Sequence, residues 1–386
     1  MMTPKTKLAI VVDTCHAGGV SKALNDFIKC IDIETIEITL FVKNFSTVTD
    51  FDLPDDITCQ EWPDKYSFGE GIKTEGFFSF CKYKTLDLLN RRNFGKRRVY
   101  RARQYKKVEE NFDCVIGYQM IANEVTIVTL EKIPAKRRIL WLHGKKNFKD
   151  SDLKFYDDIY SRADLIVSVS KDTEIRFKKL MPKCADKTIT IHNFYDFDTI
   201  YSKADEPFDI NKVDDETVIV STGRLSKEKG FDRVPEVTKK LVDDGYNIKW
   251  YIAGDGDKRE SIAADITEKG LKDHVILTGF ITNPYPYVKQ CDIYVQPSYT
   301  EGFCTSTMEA KILRRPVVTT DVPGMKEQFV NEYDGLIVES SVDGLYQGIK
   351  RIIDDKVLYQ SIIDHLNNET FSNDEEVKKA LKAITG

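Results

Sequence analysis

The stretch Asp292-Ile-Tyr-Val-Gln-Pro-Ser298, continued by Thr300-Glu-Gly-Phe-Cys-Thr-Ser-Thr-Met-Glu309, decides the fold of this chain. Its apolar run predicts a buried strand, its glycine a tight turn, and its small hydroxyl residues the start of a helix. Ligands bind at such strand ends in open α/β sheets, and a helix start attracts anions. Because Glu301 and Glu309 would repel a bare phosphate, the pattern favours a phosphorylated sugar whose hydroxyls they bind. Ser306-Thr-Met-Glu309 also fits a capping box, in which Glu309 only secures the helix end.

The composition is that of a globular protein with two domains. The chain has 386 residues, 41% of them hydrophobic, which is too long for one ordinary core. Its net charge of -5 argues against a nucleic-acid partner, for which a basic domain is expected. Cysteines without C-x-x-C pairs indicate reduced thiols, and the first apolar run, of about six residues, is too short for a signal peptide or membrane span. We therefore expect a cytoplasmic protein, peripheral at most at the inner face of the membrane.

Short β-rich runs alternate with helical segments along both halves of the sequence. This alternation predicts parallel sheets with right-handed crossovers, arranged as two doubly wound α/β domains whose strand ends enclose a cleft. We expect a first domain over 1–200 and a second over 210–368, joined by the polar span 198–216, with a C-terminal helix near 370–386 packing back on the first. The predicted strands are 8–12, 35–42, 57–62, 112–117, 138–142, 165–170, 188–191, 218–222, 248–253, 274–278, 292–296, 316–320 and 335–338.

A glycine-containing turn follows the first strand of each half. Gly18 and Gly19 would let a ligand approach the backbone closely, although the full G-x-G-x-x-G of dinucleotide binding is missing and a tight packing turn fits equally well. In the second half, Arg224 and Lys229 lie on a turn bounded by two glycines. A diphosphate could hold both cations, at about 1.5 to 3 kcal/mol for each charge-assisted hydrogen bond. A solvated surface loop is the alternative.

Further basic groups lie in the first half. His143 ends a predicted strand and is followed by Gly144-Lys145-Lys146, which suits contact with a phosphate or a reacting hydroxyl. The segment from Lys82 to Lys107 carries many lysines and arginines, interleaved with apolar residues, against the single acid Asp87. A basic helical segment of this kind can lie on an anionic membrane surface or hold a phosphorylated acceptor. A solvated charged face is the simpler interpretation.

Three spaced motifs follow one another in the second half. They are Gly223-Arg-Leu-Ser-Lys-Glu-Lys229-Gly230, Ala253-Gly-Asp-Gly256 and Glu301-Gly-Phe-Cys-Thr-Ser-Thr-Met-Glu309, with Pro323-Gly324 and Tyr333-Asp-Gly335 after them. This series resembles the GT-B glycosyltransferases of family 4, the retaining group with an E-x7-E motif, also described as glycosyl transferases group 1. The first half is similar only at Gly18-Gly19, Trp141-Leu-His143-Gly144 and Asn193. The resemblance implies two Rossmann-like doubly wound domains facing an interdomain cleft.

The resemblance also implies a role for each matching residue. Arg224 and Lys229 would hold the donor diphosphate, Glu309 the ribose hydroxyls and Glu301 the hydroxyls of the transferred sugar. The catalytic residues would be His143, Arg224, Lys229 and Glu301. The donor site would add Gly19, Gly223, Gly254, Phe280, Phe303, Cys304, Thr305 and Glu309. The acceptor site would use Gly18, His143, Lys145 and Lys146.

The implied reaction moves a hexose or N-acetylhexosamine from a nucleotide-diphosphate sugar, with UDP expected, to a hydroxyl of a saccharide, lipid-linked or polyol-phosphate acceptor in bacterial cell-surface polysaccharide synthesis. Retention without an obvious nucleophilic carboxylate favours a same-face displacement, in which the leaving phosphate takes the acceptor's proton. No cofactor or metal is expected, because the D-x-D pattern Asp255-Gly-Asp257 lies in a loop that contacts the nucleotide in this family. The alternatives are a nucleotide-sugar 2-epimerase and a non-catalytic nucleotide-sugar binding protein.

Overall fold

The computed structural model describes residues 4–15, 18–32, 34–50, 52–67, 70, 73–74, 77–90, 92–119, 124–144, 148–207, 210 and 212–386. The chain forms two compact units, Met1–Phe194 together with Asn373–Gly386, and Tyr195–Ser372. The second unit begins before the residue predicted from the sequence. Helix Phe197–Ala204, within the span expected to link the domains, buries Ile200 and Ala204 in the core of the second unit.

The first unit is built on a parallel sheet of seven strands in the order β3-β2-β1-β4-β5-β6-β7. Every strand predicted for the first half is present, with ends shifted by a few residues. The strands are β1 Thr6–Val12, β2 Ile36–Val42, β3 Thr58–Glu61, β4 Phe112–Gln119, β5 Ala135–Leu142, β6 Leu165–Ser168 and β7 Thr188–Thr190. The helices of this unit are α1 Gly19–Cys30, α2 Phe77–Leu89, α3 Phe94–Ala102, α4 Glu124–Ile127, α5 Asp150–Tyr160 and α6 Lys171–Leu180, with a π-helix at Val128–Lys132.

The sheet of the first unit is stabilised by burial of both its faces. Leu8 to Val11 of β1 are fully buried, as a continuous apolar run in a central parallel strand should be. On one face, Phe27 of α1 meets Trp141 of β5 edge-on, with 4.9 Å between ring centroids. Such aromatic pairs contribute about 0.5 to 1.5 kcal/mol beyond the area that they bury. This packing fixes the end of β5, from which His143 follows.

The second unit repeats the plan with six strands in the order β10-β9-β8-β11-β12-β13, all parallel where they pair. All six predicted strands are present: β8 Thr217–Thr222, β9 Ile248–Ala253, β10 Val275–Gly279, β11 Ile293–Gln296, β12 Val317–Thr320 and β13 Leu336–Val338. The helices are α7 Phe197–Ala204, α8 Val234–Asp243, α9 Arg259–Glu268, α10 Tyr285–Gln290, α11 Thr305–Ile312, α12 Met325–Gln328, α13 Val342–Asp354 and α14 Lys356–Asn368.

The last helix, α15 Asp374–Thr385, belongs to the first unit although it follows the second in sequence. Its buried residues are Ala380, Ala383 and Ile384. The Glu376 carboxylate at its start contacts Nδ1 of His192 at 3.1 Å. The chain thus crosses between its units twice, once after Phe194 and once after Ser372.

The basic segment from Lys82 to Lys107 forms parts of two helices, α2 and α3, and much of its charge is paired within the first unit. Arg97 and Arg101 both approach Asp87, at 2.8 and 3.2 Å. Lys96 pairs with Asp152 at 2.6 Å, and Arg103 with Glu131 at 3.1 Å. Several of these carboxylates lie outside the segment in the sequence. A count of charges within the segment therefore gives too high a net positive charge for this surface.

The cysteines and the helices of the chain bear on its redox state and on membrane insertion. All eight cysteines lie in the described part of the chain, and all are free thiols; those that are buried are Cys15, Cys114, Cys184, Cys291 and Cys304. Within the ranges that the structure describes, every helix is too short or too polar to cross a lipid bilayer.

Candidate active site in the second unit

The residues singled out in the second half come together at one place, the point where strand order reverses in the sheet of the second unit. The loop after β8 carries Arg224 and Lys229, and the loop after β11 carries Glu301. These strands are adjacent and parallel, with Ile293 opposite Ile219. The helix crossovers diverge to either side of such a switch point and leave a crevice at the carboxyl ends of the strands. The topology therefore explains why loops far apart in sequence share a site.

Lys229 and Glu301 form a direct ion pair, with 2.8 Å between Nζ and Oε1. The same carboxylate oxygen accepts a hydrogen bond from the Ser298 hydroxyl at 2.6 Å. Ser298 in turn accepts one from Nε2 of Gln296 at 3.0 Å, and the Gln296 carbonyl oxygen accepts one from the Tyr294 hydroxyl at 3.2 Å. The alternate polar residues of β11 and its extension thus hold the Glu301 carboxylate from behind.

The ammonium of Lys229 is stabilised by this arrangement. Burial by itself disfavours the charged form, but Cys304, Glu301 and Glu228 favour it, and the net effect raises the pKa of Lys229 above its ordinary value. Burial also raises the pKa of the Cys304 thiol. Because that thiol is therefore neutral near pH 7, the Glu301 carboxylate is the main negative partner of Lys229. Lys229 therefore stays protonated near pH 7 and carries a positive charge at the end of β8.

Arg224 is the more exposed cation of the same loop. Among the residues that the structure describes, no carboxylate pairs with its guanidinium. The backbone around it is fixed, because its carbonyl accepts a hydrogen bond from the amide of Ser226 at 2.8 Å, and the next residue, Leu225, donates to the carbonyl of Asp255 at 2.9 Å. The guanidinium thus projects from a rigid turn with its five N–H donors available.

Glycines allow these loops to pack closely. A Cβ at Gly254 would lie 1.8 Å from the carbonyl oxygen of Gly223, so only glycine fits there. Gly230 has a φ of 67°, and a Cβ at this position would lie 1.9 Å from the carbonyl oxygen of Pro297. The first contact joins the loops after β8 and β9, and the second joins the loops after β8 and β11. Three of the predicted motifs therefore support one another through their backbones.

Helix α11 begins at Thr305 with Cys304 as its N-cap, and no side chain caps it. The capping-box alternative is therefore wrong, because it required Ser306 at the cap and Glu309 in the third helical position. Glu309 is instead the fifth residue of the helix, is buried, and accepts a hydrogen bond from the Tyr285 hydroxyl at 3.4 Å. The first backbone N–H groups of a helix have no intrahelical partner, so an anion is favoured at the start of α11.

Phe280, which follows β10, is 63% exposed. An exposed aromatic ring of this size next to a sheet edge is available for stacking on a planar group such as a nucleotide base. It lies close in sequence to Gly279, whose carbonyl accepts a hydrogen bond from the amide of Gly254 at 2.8 Å. Phe280 and Gly254 are thus held at neighbouring strand ends, β10 and β9.

In the first unit, the side chain of His143 is buried at the end of β5, with its ring centroid 4.4 Å from that of Tyr118. Burial lowers the pKa of His143 to about 3. The imidazole is therefore neutral near pH 7, so it can exchange hydrogen bonds but supplies no positive charge to a phosphate. Its buried Nε2 has no hydrogen-bond partner among the described residues.

The other predicted residues of the first unit lie at the start of α1 or outside the described residues. Gly18 is the N-cap of α1, with φ 162° and ψ 163°, and Gly19 is the first residue of that helix. Gly18 is therefore extended, and its backbone does not require glycine. Lys145 and Lys146 lie outside the described residues.

Metal ligands are sparse in the described part of the chain. No group of three or more His, Cys, Asp or Glu side chains there could hold a metal ion. Asp255 of the D-x-D pattern instead accepts a hydrogen bond from the amide of Gly256 at 2.7 Å, as a turn-forming aspartate does.

Two groups of this site were missed by sequence reasoning. Gln296 and Ser298 lie within an apolar strand and its extension, and their alternation with Tyr294 was the signal that one face of this strand is polar. Arg233 is 5% exposed and stacks on Tyr299, with 4.0 Å from its guanidinium carbon to the ring centroid. It also donates to the carbonyl of Pro297. In sequence, Arg233 is indistinguishable from an ordinary surface cation at a helix start.

Comparison with solved structures places this arrangement in a known class of fold. The chain superposes on Alr3699/HepE of Anabaena in complex with UDP and glucose with a TM-score of 0.75 and 16% identity, covering 99% of this chain and 100% of that chain. It also superposes on a glycosyltransferase from Rickettsia africae with a TM-score of 0.72 and 18% identity, covering 98% of each chain. With its two doubly wound units, the chain has the GT-B fold.

The sequence of the second unit is similar to a known protein family. Residues 202–367 match the family model described as glycosyl transferases group 1. The chain is 29% identical to N-acetylgalactosamine-N,N'-diacetylbacillosaminyl-diphospho-undecaprenol 4-alpha-N-acetylgalactosaminyltransferase of Campylobacter jejuni, over 64% of this chain and 67% of the relative. It is 32% identical to the putative teichuronic acid biosynthesis glycosyltransferase TuaC of Bacillus subtilis, over 44% of this chain and 41% of the relative.

Proposed function

We propose that this protein is a retaining glycosyltransferase that moves a hexose or N-acetylhexosamine from a UDP-sugar to a hydroxyl of a lipid-linked saccharide in cell-surface polysaccharide synthesis. The observation that carries the proposal is the pairing of Lys229 with Glu301 at the switch point of the second sheet. Such a pair offers one cation and one hydroxyl-binding carboxylate side by side. A nucleotide-diphosphate sugar carries the complementary groups, phosphate and hydroxyl, in one molecule.

In this proposal the second unit binds the donor. Arg224 and Lys229 hold the diphosphate together with the backbone N–H groups at Phe303, Cys304 and Thr305. Glu309 accepts hydrogen bonds from the ribose, Glu301 from the transferred sugar, and the base lies near Phe280 and Gly254. The choice of UDP is supported by the relative of known structure that was crystallised with UDP. The lipid-linked acceptor is supported by the name of the Campylobacter jejuni relative, which acts on a diphospho-undecaprenol saccharide.

The reaction breaks the bond between the sugar's anomeric carbon and the diphosphate oxygen. Positive charge develops on the sugar and negative charge on the diphosphate, so Arg224 and Lys229 stabilise the transition state more than the ground state. The acceptor oxygen attacks from the same face, and its proton passes to the departing phosphate oxygen. We propose that the first unit binds the acceptor, and that neutral His143 exchanges a hydrogen bond with a hydroxyl of the acceptor sugar. No step requires a metal or another cofactor.

We also propose that α2 rests on an anionic membrane surface at the cytoplasmic side. Phe78, Lys82 and Leu89 lie on one stripe of this helix at i, i+4 and i+11, and Phe78 and Leu89 are 88% and 75% exposed. An apolar stripe beside lysines is the pattern of a helix at a lipid interface. A lipid-linked acceptor would be delivered at such a surface.

The proposed activity is tested with a panel of UDP-, GDP-, dTDP- and ADP-sugars, measuring nucleotide release with and without a polyprenyl-diphosphate saccharide. A transferase releases nucleotide in an acceptor-dependent manner, and NMR of the product shows a retained anomeric configuration. A 2-epimerase acts on the donor without acceptor and transfers no sugar, whereas a binding protein shows saturable nucleotide binding without turnover. Inversion at the anomeric carbon would contradict the proposal while leaving a transferase.

The matched variants Arg224→Ala and Lys227→Ala test which cation serves the site. Both side chains are exposed on the same loop, so neither substitution should change the melting temperature appreciably. Loss of one charge-assisted contact to the diphosphate, at about 1.5 to 3 kcal/mol, should lower kcat/KM roughly 10- to 150-fold in Arg224→Ala. Lys227→Ala should retain normal turnover. Equal loss in both variants would show that the loop acts through its general charge and not through Arg224.

A further inference from the structure

A cationic cavity lies in the first unit. Its volume is about 530 Å³, and its charged lining residues are Arg103, Lys107, Glu131, Lys132, Arg138 and Arg162. Among the lining residues that the structure describes, cations outnumber carboxylates. A cavity of this size is within the range of small-ligand sites, roughly 300 to 1,000 Å³. The excess of positive charge indicates an anionic ligand.

This cavity lies at the edge of the first sheet opposite to the one from which His143 projects. Its lining comes from segments that precede strands: Lys107 precedes β4, Glu131 and Lys132 precede β5, and Arg162 precedes β6. Arg138 lies within β5, five residues before His143, a distance of roughly 16 Å along an extended strand. Because ligands of doubly wound sheets bind at the carboxyl ends of the strands, this cavity is separate from the ligand crevice of the first sheet.

The cations are held in place by contacts that leave most of their donors unused. Glu131 Oε1 accepts from Nε of Arg103 at 3.1 Å and from Nη1 of Arg162 at 2.5 Å. The guanidinium of Arg103 also lies over the ring of Tyr83, 5.2 Å from its centroid. One carboxylate oxygen therefore positions two guanidinium groups, each of which has five N–H donors. This is a rigid fork of donors, and its net charge remains positive.

Two further cations, Lys107 and Arg138, line the cavity. Among the residues that the structure describes, neither Lys107 nor Arg138 pairs with an acidic side chain. Lys132 is 3% exposed, and its ammonium lies 5.9 Å from the ring centroid of Tyr66. Cations gathered in a partly enclosed space repel one another, and a multiply charged anion would relieve that repulsion. A monovalent anion would neutralise only a small part of it.

We infer that this cavity is a second ligand site of the protein, which binds a phosphoryl or diphosphoryl group at the amino edge of the first sheet. Arginine forks match the tetrahedral oxygens of phosphate, since two parallel N–H groups can contact two oxygens at once. Arg103 and Arg162 form the fixed side of the site, and Lys107 and Arg138 provide its charge. The site anchors or senses a phosphorylated molecule at the edge of the first sheet opposite to its ligand crevice, and it does not depend on the proposed glycosyl transfer.

The probe for this site is inorganic pyrophosphate, titrated calorimetrically. Because pyrophosphate would also occupy a diphosphate site in the second unit, the titration is done in an Arg224→Ala/Lys229→Ala background. Binding of one equivalent is expected there. Adding Lys107→Gln and Arg138→Gln should weaken that binding at least about 30-fold, since two charge-assisted contacts are lost. Melting curves of each variant establish that it is folded.

Matched controls separate a site from general charge. Lys136→Gln/Lys326→Gln removes the same number of charges at positions that are 83% and 70% exposed and do not line the cavity, and it should bind pyrophosphate as the background does. Arg138→Lys, which keeps the charge, should retain most of the affinity. Equal weakening in the control and in the cavity variant would overturn the inference, as would the lack of any binding in the background.

The source of the phosphoryl group is distinguished by a vesicle assay. Vesicles containing phosphatidic acid are sedimented with the protein, with and without excess pyrophosphate. Sedimentation that is lost both with pyrophosphate and in Lys107→Gln/Arg138→Gln assigns the group to a lipid head. Pyrophosphate binding without such sedimentation assigns it to a soluble phosphate ester. Either result supports a phosphoryl site in this cavity.

Discussion

Glu301 shows how much of this site depends on one carboxylate being held in one orientation. It contacts Lys229 on one side and Ser298 on the other, at 2.8 and 2.6 Å. Lys229 balances the charge of the carboxylate. Ser298 orients it, because the Ser298 hydroxyl is itself held by a hydrogen bond that it accepts from Gln296 at 3.0 Å. A carboxylate that must accept hydrogen bonds from a sugar gains from such support, since less ordering is needed when the ligand binds.

Ser298→Ala should therefore impair the site more than the fold. Removing the hydroxyl leaves Glu301 without one donor and Gln296 without an acceptor, which should cost about 1 to 3 kcal/mol of stability. We expect kcat/KM to fall roughly tenfold, with rescue by Ser298→Thr. The matched control is Ser221→Ala, a buried serine that donates to the carbonyl of Val295 and accepts from Trp250. Ser221→Ala should lose similar stability, measured by urea unfolding, and retain activity. If both variants lost activity to the same extent, the role of Ser298 would be structural only.

His143 offers a test based on pH. Burial lowers its pKa to about 3 in the folded chain, whereas an unfolded histidine titrates near 6.5. Between these values only the unfolded chain binds the proton, so the free energy of unfolding falls as the pH falls through that window, by up to about 1.4 kcal/mol per pH unit. The stabilisation is fully present above pH 6.5. Urea unfolding at pH 7, 6 and 5 should show the advantage of the wild type over His143→Gln shrinking on acidification; an unchanged difference would place His143 in a solvated environment.

At the scale of elements, the turn after β8 requires glycine at position 230 for two reasons, its backbone conformation and the lack of space for a side chain. Gly230 has a φ of 67°, and a Cβ there would lie 1.9 Å from the carbonyl oxygen of Pro297. Gly270 has nearly the same φ, 69°, but nothing lies within 4 Å of its Cβ position. The two glycines differ only in the space around them, and their comparison isolates the close approach of the loops after β8 and β11.

Gly270→Ala should cost about 1 to 2 kcal/mol, the usual penalty for a side chain in the left-handed region. Gly230→Ala should cost at least about 2 kcal/mol more, because its methyl group must displace backbone that carries Pro297. Nucleotide binding should also weaken in Gly230→Ala, since the loop bearing Lys229 shifts. Urea unfolding and calorimetry measure the two effects. An equal loss of stability in the two variants would contradict the close contact between the loops after β8 and β11.

The membrane proposal belongs to helix α2 and has its own control. Substituting Phe78→Ser with Leu89→Ser removes two exposed apolar side chains from one stripe, and binding to vesicles with anionic lipid should fall at least about tenfold in sedimentation. Ile175→Ser is the matched control, since Ile175 is 68% exposed on α6 of the same unit. Undiminished sedimentation of the α2 variant would exclude this helix as the contact. Variants of Arg97 or Arg101 are poorer tests, because both approach Asp87.

The helices and strands also show which features could be predicted from the sequence. Strands such as β9 were predicted at their observed bounds because an apolar run between turn residues has few alternative structures. The pairing of Lys229 with Glu301 could not be predicted as a contact, because the two are 72 residues apart and meet only because β8 and β11 are neighbours. The capping box failed for a similar reason. The four-residue pattern Ser306-Thr-Met-Glu309 is present, but α11 begins at Thr305, two residues earlier than a capping box at Ser306 requires.

At the scale of the molecule, the distinctive feature is a chain that crosses between its units twice. After the second unit ends at Ser372, helix α15 returns to the first unit, where Ala380, Ala383 and Ile384 are buried. A compact unit completed by a distant piece of chain cannot reach full stability until that piece is present. The stability of the first unit therefore depends on the last residues of the sequence, and that of the second unit does not.

Deleting residues 373–386 should consequently loosen the first unit selectively. We expect amide hydrogens of β4 and β5 to exchange at least about tenfold faster, because the apolar surface covered by α15 becomes exposed, while protection in β8 and β9 stays unchanged. Glu376→Gln is the graded control: it weakens the contact with His192 at 3.1 Å but keeps the helix, and its effect should be much smaller. Hydrogen exchange followed by mass spectrometry resolves the strands. Equal loss of protection in both sheets would mean that the two units unfold as one, and that α15 stabilises the whole chain and not the first unit alone.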